Sequence, residues 1–473
     1  MGMSWTDLRF LINRSTGLFR RGLASLRTRG LRGSWLRVQK HLRPAPALQR
    51  RALFLPEAAP FAPFTLAASV ASGSTPKASI VIPVFNQFTH TLACLRALAT
   101  HPAHAAFEVI VVDDGSSDET EASLRQVAGL RYHRRAHNGG FIAACNDGAS
   151  LARGEFLVFL NNDTVPQPGW LDALLHTFAA QPDCGLAGAQ LLYPDGRLQE
   201  AGGLVFADGS AWNYGRFDSP DDPRYAFVRE ADYCSGAALA VPRALFSRLG
   251  GFDTRYAPAY YEDTDIAFAV RAAGYTVLYQ PDSRVVHMEG TTSGTDTRSG
   301  AKAYQVRNRG VLAGKWRDTL AAHPAPGSNP DMAATRQRRR TVLVIDESSP
   351  RPDRDSGSLR LFNLMRLLRE EGAHVVFVPA DRTHDGAYTA ALQQLGVEAW
   401  YAPFIERPAA WLRLHGRRFD TIVACRHFVA REFLPLLRKH APQARIVFDS
   451  IDLHYLRERR GAELAGDAAL MRA

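Results

Sequence analysis

The sequence predicts an α/β protein made of two successive units, each built on a largely parallel sheet. Three observations carry this. From Ala78 onward, short β-branched runs alternate with helix-period stretches: Ser79-Ile80-Val81-Ile82-Pro83-Val84, a helix over about Thr89–Ala99, then Phe107-Glu108-Val109-Ile110-Val111-Val112 and a second helix. Strand, helix, strand, helix is the order of a parallel sheet. The run Phe156-Leu157-Val158-Phe159-Leu160 is apolar throughout, as a strand covered on both faces should be, and it stops at Asn161-Asn162-Asp163-Thr164 before Pro166 and Pro168. The alternation restarts at Thr341-Val342-Leu343-Val344-Ile345-Asp346, with strands expected near His374–Val378, Glu398–Tyr401, Thr421–Ala424 and Arg445–Phe448.

Composition sets the outer bounds. A chain of 473 residues is too long for one core, so two or three domains are expected. Apolar residues at 46% and charged residues at 22% are ordinary for soluble globular protein. No apolar run approaches the ~20 residues of a membrane span. Arg9, Arg14, Arg20 and Arg21 interrupt every N-terminal apolar cluster, which speaks against a signal peptide. Cys94, Cys145, Cys184, Cys234 and Cys425 form no CxxC pair, so a reducing compartment and no zinc site are expected. The expected location is cytoplasmic, at or near the inner face of the cytoplasmic membrane.

The net charge of +10 is concentrated. Residues 1–50 hold eleven Lys or Arg and one acid, Asp7, which accounts for all of it. A basic arm on a neutral body does not resemble a nucleic-acid-binding face. Leu8, Leu11, Ile12, Phe19, Leu23 and Leu26 lie at rough helical spacing between arginines, although Gly17, Gly22, Gly30 and Gly33 weaken a continuous helix. Such an arm either makes peripheral contact with an anionic membrane or packs on a domain. The organisation is then an amphipathic basic arm over 1–54, a Pro/Ala/Ser-rich linker over 55–77, a first unit over 78–318, a second linker over 319–340 and a second unit over 341–473.

Several loops of the first unit carry candidate chemistry. Asp163, next to two amides at a strand's carboxyl end, suits a divalent metal carrying a phosphorylated ligand; the same residues also suit Asx turns. Asp113-Asp114-Gly115-Ser116-Ser117 follows the second strand, where an acid either holds a ribose or base edge or caps the next helix, with Ser117 or Asp118 as N-cap. His137-Asn138-Gly139-Gly140-Phe141 precedes a helix containing Asn146, and its glycine pair permits close backbone approach to a ligand. Residues 185–240 read as antiparallel and irregular. Tyr260-Tyr261-Glu262-Asp263-Thr264-Asp265 opens a helix with Ile266, Ala269, Val270 and Ala273 on one face and Gly274 at its end. Acids suit a helix's first turn, but three in four residues exceed what the dipole asks. His287 follows the short run Val285-Val286, after a strand over Thr276–Tyr279, and is either structural or a ligand. Lys302, Arg307 and Arg309 either meet phosphates or form a solvated face.

In order and spacing, Ile80–Asn86, Val112–Ser116, Asn138–Gly140 with Asn146, Leu160–Thr164, Gly251–Asp253, Glu262–Asp265 and His287 resemble the motifs of family 2 glycosyltransferases, closest to the bacterial rhamnosyltransferase-like branch. The resemblance covers about residues 78–315. It implies a GT-A fold and an inverting transfer of a sugar, with rhamnose a candidate, from a nucleotide-diphosphate donor to a growing cell-surface polysaccharide or lipid-linked saccharide. It implies donor contacts from Pro83, Asn86, Asp113 or Asp114, Asn138, Gly139, Gly140, Asn162, Asp163 and Asp265. Asp163 stands at the last position of the family's D-x-D motif, with Asn161 at its first. His287 matches a position that ligates the metal in some members. Asp263, beside Glu262, matches the catalytic base.

The second unit resembles the N-terminal half of a family 4, GT-B type transferase, an incomplete Rossmann-like half domain. Pro352, Asp353, Ser356-Gly357-Ser358 and Arg360 fit its opening loop, and Asp449-Ser450-Ile451-Asp452-Leu453-His454 a later one.

The chemistry expected of the first unit is a single displacement. Asp263 takes the proton of the acceptor hydroxyl, and a divalent cation at Asp163 and His287 offsets the charge of the leaving diphosphate. An imidazole ligand favours Mn²⁺ over Mg²⁺. A nucleotidyltransferase would want a glycine-rich basic loop where Phe85-Asn86-Gln87-Phe88 stands. A non-catalytic scaffold of a polysaccharide assembly complex would have no use for the Glu262–Asp265 cluster.

Overall fold

The computed structural model describes residues 52–66, 75–288, 303–450, 459–460 and 463–464. The basic arm up to residue 51, Lys302 and the stretch Ile451–His454 lie outside them. The chain divides into a unit over Arg51–Arg336 and a second unit from Gln337 onward. Among the described residues no helix is long and apolar enough to cross a membrane.

In the first unit the β-branched runs form β1 (Ala78–Val84) and β2 (Phe107–Asp113), followed by β3 (Leu130–Arg134) and β4 (Phe156–Leu160). Next come β5 (Thr164–Pro166), β6 (Cys184–Leu192), β7 (Leu198–Glu200), β8 (Gly203–Val205), β9 (Ala211–Asn213), β10 (Arg229–Glu230), β11 (Ala238–Pro242) and β12 (Thr276–His287). Among the described residues ten of these make one mixed sheet in the order β10-β12-β6-β11-β4-β1-β2-β3, with β5 on β12 and β7 on β6. The strands β4, β1, β2 and β3 are parallel, as expected. Ile80, Ile82 and Val84 point into one apolar cluster and Val81 into the other, so the period of two along β1 builds a core on each face of the sheet.

The other half departs from the expectation of simple antiparallel structure over 185–240. β11 is antiparallel to β4 and β6, but β6 runs parallel to β12. The two strands expected over Thr276–Tyr279 and Val285–His287 are one strand, with a register shift between Gln280 and Arg284. Pro281, which cannot donate to a ladder, falls within that irregularity.

The end of the arm at Phe54 and the described parts of both stretches read as linkers pack on this unit. Gln167 binds the backbone of Phe54 on both sides, accepting from its N–H at 2.8 Å and donating to its carbonyl at 3.0 Å. Leu66 is buried and its N–H donates to the Ala128 carbonyl at 2.9 Å. Farther on, Asn329 caps the Pro330–Thr335 helix, and Arg336 pairs with Asp232 at 2.6 Å. Composition alone suggests a linker, but Phe54, Phe61, Phe64, Leu66 and Ala333 give these segments apolar surface to bury.

The second unit holds β13 (Arg340–Asp346), β14 (Ala373–Pro379), β15 (Glu398–Ala399), β16 (Thr421–Cys425) and β17 (Arg445–Asp449). They pair in parallel in the order β15-β14-β13-β16-β17, the 3-2-1-4-5 pattern of a doubly wound sheet. The helix expected near Leu359 starts at Ser356, because Asp355 caps it by accepting from the Ser358 N–H at 2.7 Å.

Candidate active site

The carboxyl ends of β1 and β2 meet in a tightly bonded pair of loops. Pro83 is buried in β1 opposite Val112, one pair before the strands end. Asn86 follows in the left-handed region at φ 56°, a conformation asparagine tolerates better than most residues. Its N–H donates to Ser116 Oγ and its Oδ1 accepts from the Ser117 N–H, each at 2.8 Å. Asp113 is fully buried; Oδ1 accepts from the Ser116 N–H at 2.7 Å, and Oδ2 from the Tyr132 hydroxyl and from Arg134 Nη1 at 2.7 Å. Burial would raise its pKa, but the bonds from Ser116 and Tyr132 and the Arg134 charge prevail and lower it. Asp114 accepts from the Gly139 N–H at 3.0 Å, the Gly140 N–H at 2.7 Å and from Arg135. Asn138 Oδ1 also accepts from the Gly140 N–H, at 3.1 Å. Gly140 sits at φ 86°, and a Cβ there would meet Pro258 Cβ at 2.6 Å, so a larger residue would break the loop.

Pro83, Asn86, Asp113, Asp114, Asn138, Gly139 and Gly140 thus come together where a donor is expected. Asp113 and Asp114, one of which is expected to hold the nucleoside, already carry other bonds. Both are spent on the loop and on arginines, and a nucleoside has to share or displace those bonds. Neither Arg134 nor Arg135 was singled out in the sequence, although two basic residues at the end of a strand beside two acids were a readable signal.

The Asn161–Asp163 loop separates its three side chains. The Asn161 N–H donates to the Ala237 carbonyl at 3.0 Å, while Asn161 Oδ1 is buried without a hydrogen-bond partner. Asn162 does not face a donor as expected: it is buried, and its Nδ2 donates to Thr91 Oγ1 at 3.0 Å, turned inward onto the Phe88–Thr100 helix. Asp163, also buried, meets a histidine from another strand. Strand pairing sets His287 opposite Thr164, and this brings His287 Nε2 to 3.3 Å from Asp163 Oδ1. The other ring nitrogen, Nδ1, lies 2.8 Å from Gln199 Oε1 on β7. Among the described residues no set of three His, Cys, Asp or Glu side chains gathers to cage an ion. The spacing fits a smaller role. Two donors 3.3 Å apart can share one cation, and Mg²⁺-like sites use one or two protein ligands and complete the shell with water and substrate phosphate. Asp163 and His287 therefore fit a divalent cation that arrives with its diphosphate.

The acids opening the Glu262–Ala272 helix occupy distinct environments. Asp263 is half-buried: Oδ2 accepts from the Gly236 N–H at 3.0 Å and Oδ1 from the Thr264 N–H at 2.6 Å. Burial raises its pKa despite those bonds. Glu262 is buried, its Oε2 has no hydrogen-bond partner, and burial plus the neighbouring Asp263 charge push its pKa well up. A third acid joins them. Glu200 on β7 is buried, accepts from the Ser235 N–H at 3.0 Å, and is raised to about 8 by burial and by the charge of Asp263. Consecutive amides at 235 and 236 thus hold two different carboxylates. Gly236 also lies near Phe141, with a built Cβ 3.7 Å from the ring, and the adjacent Ala237 carbonyl holds Asn161. This short loop ties the glycine pair, the Asn161–Asp163 turn and Asp263 into one site.

Asp265 does not join it. Oδ1 accepts from Tyr256 at 2.9 Å and Trp316 at 2.7 Å, and Oδ2 from Lys315 at 2.7 Å. It braces the helix against the following segments and lines a cavity of about 240 Å³ with Asn146, Asp253 and Lys315. The donor contact expected of it is corrected to a structural one: two residues after Asp263, it emerges on the opposite side of the helix. Arg307 likewise bonds the Ala257 carbonyl, and Arg309 lies 3.9 Å from Asp208. Gln199, Glu200 and Gly236 were missed in the sequence. The signal available was a Gln-Glu pair within apolar surroundings after the Pro194-Asp195-Gly196 turn.

Comparison with known proteins adds an independent line. Residues 79–235 match the family model described as Glycosyl transferase family 2. An uncharacterised protein of Sinorhizobium fredii, y4gI, is 30% identical over 285 residues, which is 58% of this chain and 31% of that protein. O-antigen biosynthesis protein RfbC of Myxococcus xanthus is 31% identical over 232 residues, 47% of this chain and 18% of its own length. The N-acetylglucosaminyl-diphospho-decaprenol L-rhamnosyltransferase of Mycobacterium tuberculosis is 27% identical over 239 residues, 45% of this chain and 78% of its own. The match therefore spans less than a third of the length of the first two relatives. With the loops after β1, β2 and β4 inside the matched stretch, the chain carries a glycosyl transferase family 2 domain, an enzyme domain whose sheet opens at β1.

Proposed function

We propose that this chain is an inverting, metal-assisted glycosyltransferase. It moves a sugar, with rhamnose the leading candidate, from a nucleoside-diphosphate donor to a saccharide acceptor of a surface polysaccharide or lipid-linked glycan. The observation that carries the reading is Asp263, a half-buried carboxylate with raised pKa, held by the Gly236 amide in the same site as Asp163 and His287. The O-antigen and decaprenol-linked names of two relatives support the acceptor class.

The residues divide the work as follows. The Gly139 and Gly140 backbone and the Asn86 loop shape the nucleoside end. Asp163 and His287 would hold a divalent cation, Mn²⁺ or Mg²⁺, whose chemistry is to offset charge on the departing diphosphate. Asp263 accepts the proton of the acceptor hydroxyl as that oxygen attacks the anomeric carbon from the face opposite the leaving group. Burial raises all three acids, Glu262 and Glu200 without a cation within 4 Å among the described residues; Asp263 differs in that the Gly236 and Thr264 amides donate to its two oxygens and favour its ionised form. The basic arm is proposed to hold the chain at an anionic membrane surface, on the cytoplasmic side, where lipid-linked acceptors are found. The second unit is proposed as a family 4-like half domain, with a role in acceptor binding or packing.

The test is release of nucleoside diphosphate from a panel of sugar nucleotides, dTDP-rhamnose, UDP-GlcNAc and GDP-mannose among them, with and without lipid-linked saccharide. Acceptor-stimulated release from one donor, abolished in Asp263→Asn, is expected. No turnover of any donor would favour a scaffold role.

A further inference from the structure

We infer that Gln199 is a positioning residue that fixes the tautomer of His287 and so makes its Nε2 a metal-facing donor. The inference rests on the metal-assisted reading above and deepens it.

The His287 ring lies between two oxygens, Gln199 Oε1 at 2.8 Å from Nδ1 and Asp163 Oδ1 at 3.3 Å from Nε2. A neutral imidazole has one N–H and one lone pair. An amide oxygen only accepts, so a bond to Gln199 Oε1 places the proton on Nδ1. The lone pair of Nε2 is then aimed at a carboxylate oxygen. Two electron-rich atoms so placed repel each other unless a metal cation or a second ring proton lies between them, and a bound metal takes the place of that proton. Such an outer partner on the second ring nitrogen is how metal-binding histidines are commonly oriented. Glutamine has a consequence that glutamate would not have. It holds the proton without adding a second negative charge to a site that already contains Asp163.

Strand pairing places both residues. Gln199 is buried on β7, and the residues on either side pair with β6, Leu198 with Leu192 and Glu200 with Leu191. His287 is held by β5, through its pairing with Thr164. The two side chains come from positions 88 residues apart and meet through strand pairing. Glu200, the next residue of β7, accepts from the Ser235 N–H, one residue before the amide that holds Asp263. One short edge strand thus supports both the metal pair and the base.

The experiment uses the full chain as wild type, Gln199→Leu and Gln199→Glu. Free Mn²⁺ is followed by electron paramagnetic resonance during titration with Mn²⁺ alone, and with UDP, dTDP or GDP present. Loss of an outer partner costs roughly 10–100-fold in metal affinity, so Gln199→Leu should bind Mn²⁺ that much more weakly, while Gln199→Glu should match or exceed wild type. Equal affinity in wild type and Gln199→Leu would overturn the assignment. Nitrogen-15 NMR of histidine-labelled, metal-free wild type reads the tautomer without any variant: the His287 proton should be on Nδ1, and a proton on Nε2 would also overturn it. Wild type that binds no Mn²⁺ even with nucleoside diphosphate would sink the metal reading and this inference with it, whereas a failed tautomer result beside normal Mn²⁺ binding would remove Gln199 alone.

Discussion

At the end of β13, the buried Asp346 meets Arg426 at 2.7 Å, and at the end of β17 Asp449 meets Arg360 at 2.6 Å. In the first unit Glu200, Glu262 and Asp263 also lie buried or half-buried near strand and helix ends. Among the described residues, none of these three has a Lys, Arg or His within 4 Å. Asp113 and Asp114, with Arg134 and Arg135, follow the second unit's pattern. The difference separates two uses of a buried acid. Where a carboxylate only shapes a loop, a guanidinium pairs with it, although burial still raises the pKa of Asp346. Where three carboxylates converge without one, desolvation pushes their pKa values up, an arrangement that costs stability and provides a group able to accept a proton.

The largest expected effect concerns the Asp163–His287 pair of the first unit. If Asp163 and His287 hold the cation, chelation or Asp163→Ala should silence transfer, and Mn²⁺ should restore the chelated wild type but not the variant. Full turnover in excess chelator would move the diphosphate partner to basic side chains such as Arg134 or Arg135.

A sizeable loss is expected on the paired side too, but in stability. Breaking a fully buried pair by removing one partner costs about 3–5 kcal/mol, and less where, as at Arg426, one partner is partly exposed. Arg426→Met should therefore lower the thermal midpoint of unfolding clearly while leaving nucleoside diphosphate release unchanged. A collapse of turnover in a variant that still melts normally would show that the second unit's paired acids serve the reaction, and the contrast between the units would fail.

Glu200 gives a smaller, pH-dependent effect. Its folded pKa of about 8 lies above the ordinary 4.5, so the folded state keeps a proton that the unfolded chain has lost. Stability from this group is full below about pH 4.5 and is lost as pH rises towards about 8. Glu200→Gln removes that loss. The variant should melt close to wild type near pH 5, a few degrees higher at pH 8, and retain most of its activity at pH 7. A fixed difference at all pH values would mean that Glu200 is not protonated in the folded chain.

The smallest effect is expected from the arm. Each Lys or Arg near an anionic surface contributes about 1 kcal/mol, within a Debye length. The full chain should co-sediment with anionic vesicles at low salt and leave them as salt rises, whereas the chain from Ala52 onward should stay soluble. The cut belongs at Ala52 and not at Ala78, because Phe54 and Leu66 are packed on the first unit. Indifference of the full chain to such vesicles would make the arm a packing element.

Legibility in the sequence tracked how local each feature is. The strands β1, β2, β4 and β13 announce themselves by apolar runs, and the Glu262–Ala272 helix by its spacing and by Gly274. Asp163, Asp263 and Gly140 were readable because each sits next to an element's end. Features made by long-range meetings were not. Nothing near Gln199 tells that His287 will arrive, and nothing near Gly236 tells that its amide will hold Asp263. Alternation also misled: Asn162 lies beside Asp163 in sequence and points to the core, and Asp265 shares a helix turn with Asp263 yet bonds Tyr256, Trp316 and Lys315. Proline and alanine made residues 55–66 and 319–336 look like linkers, when a few aromatic and apolar side chains were enough to dock them.

The central claim is that Asp263 alone of the three converging acids takes the acceptor proton, and its most direct test is Asp263→Asn measured for donor affinity and transfer rate side by side. The account predicts a transfer rate lower by roughly 10²–10⁴ with donor affinity within a few-fold of wild type. Near-wild-type turnover in Asp263→Asn would contradict it and pass the role to Glu262 or Glu200.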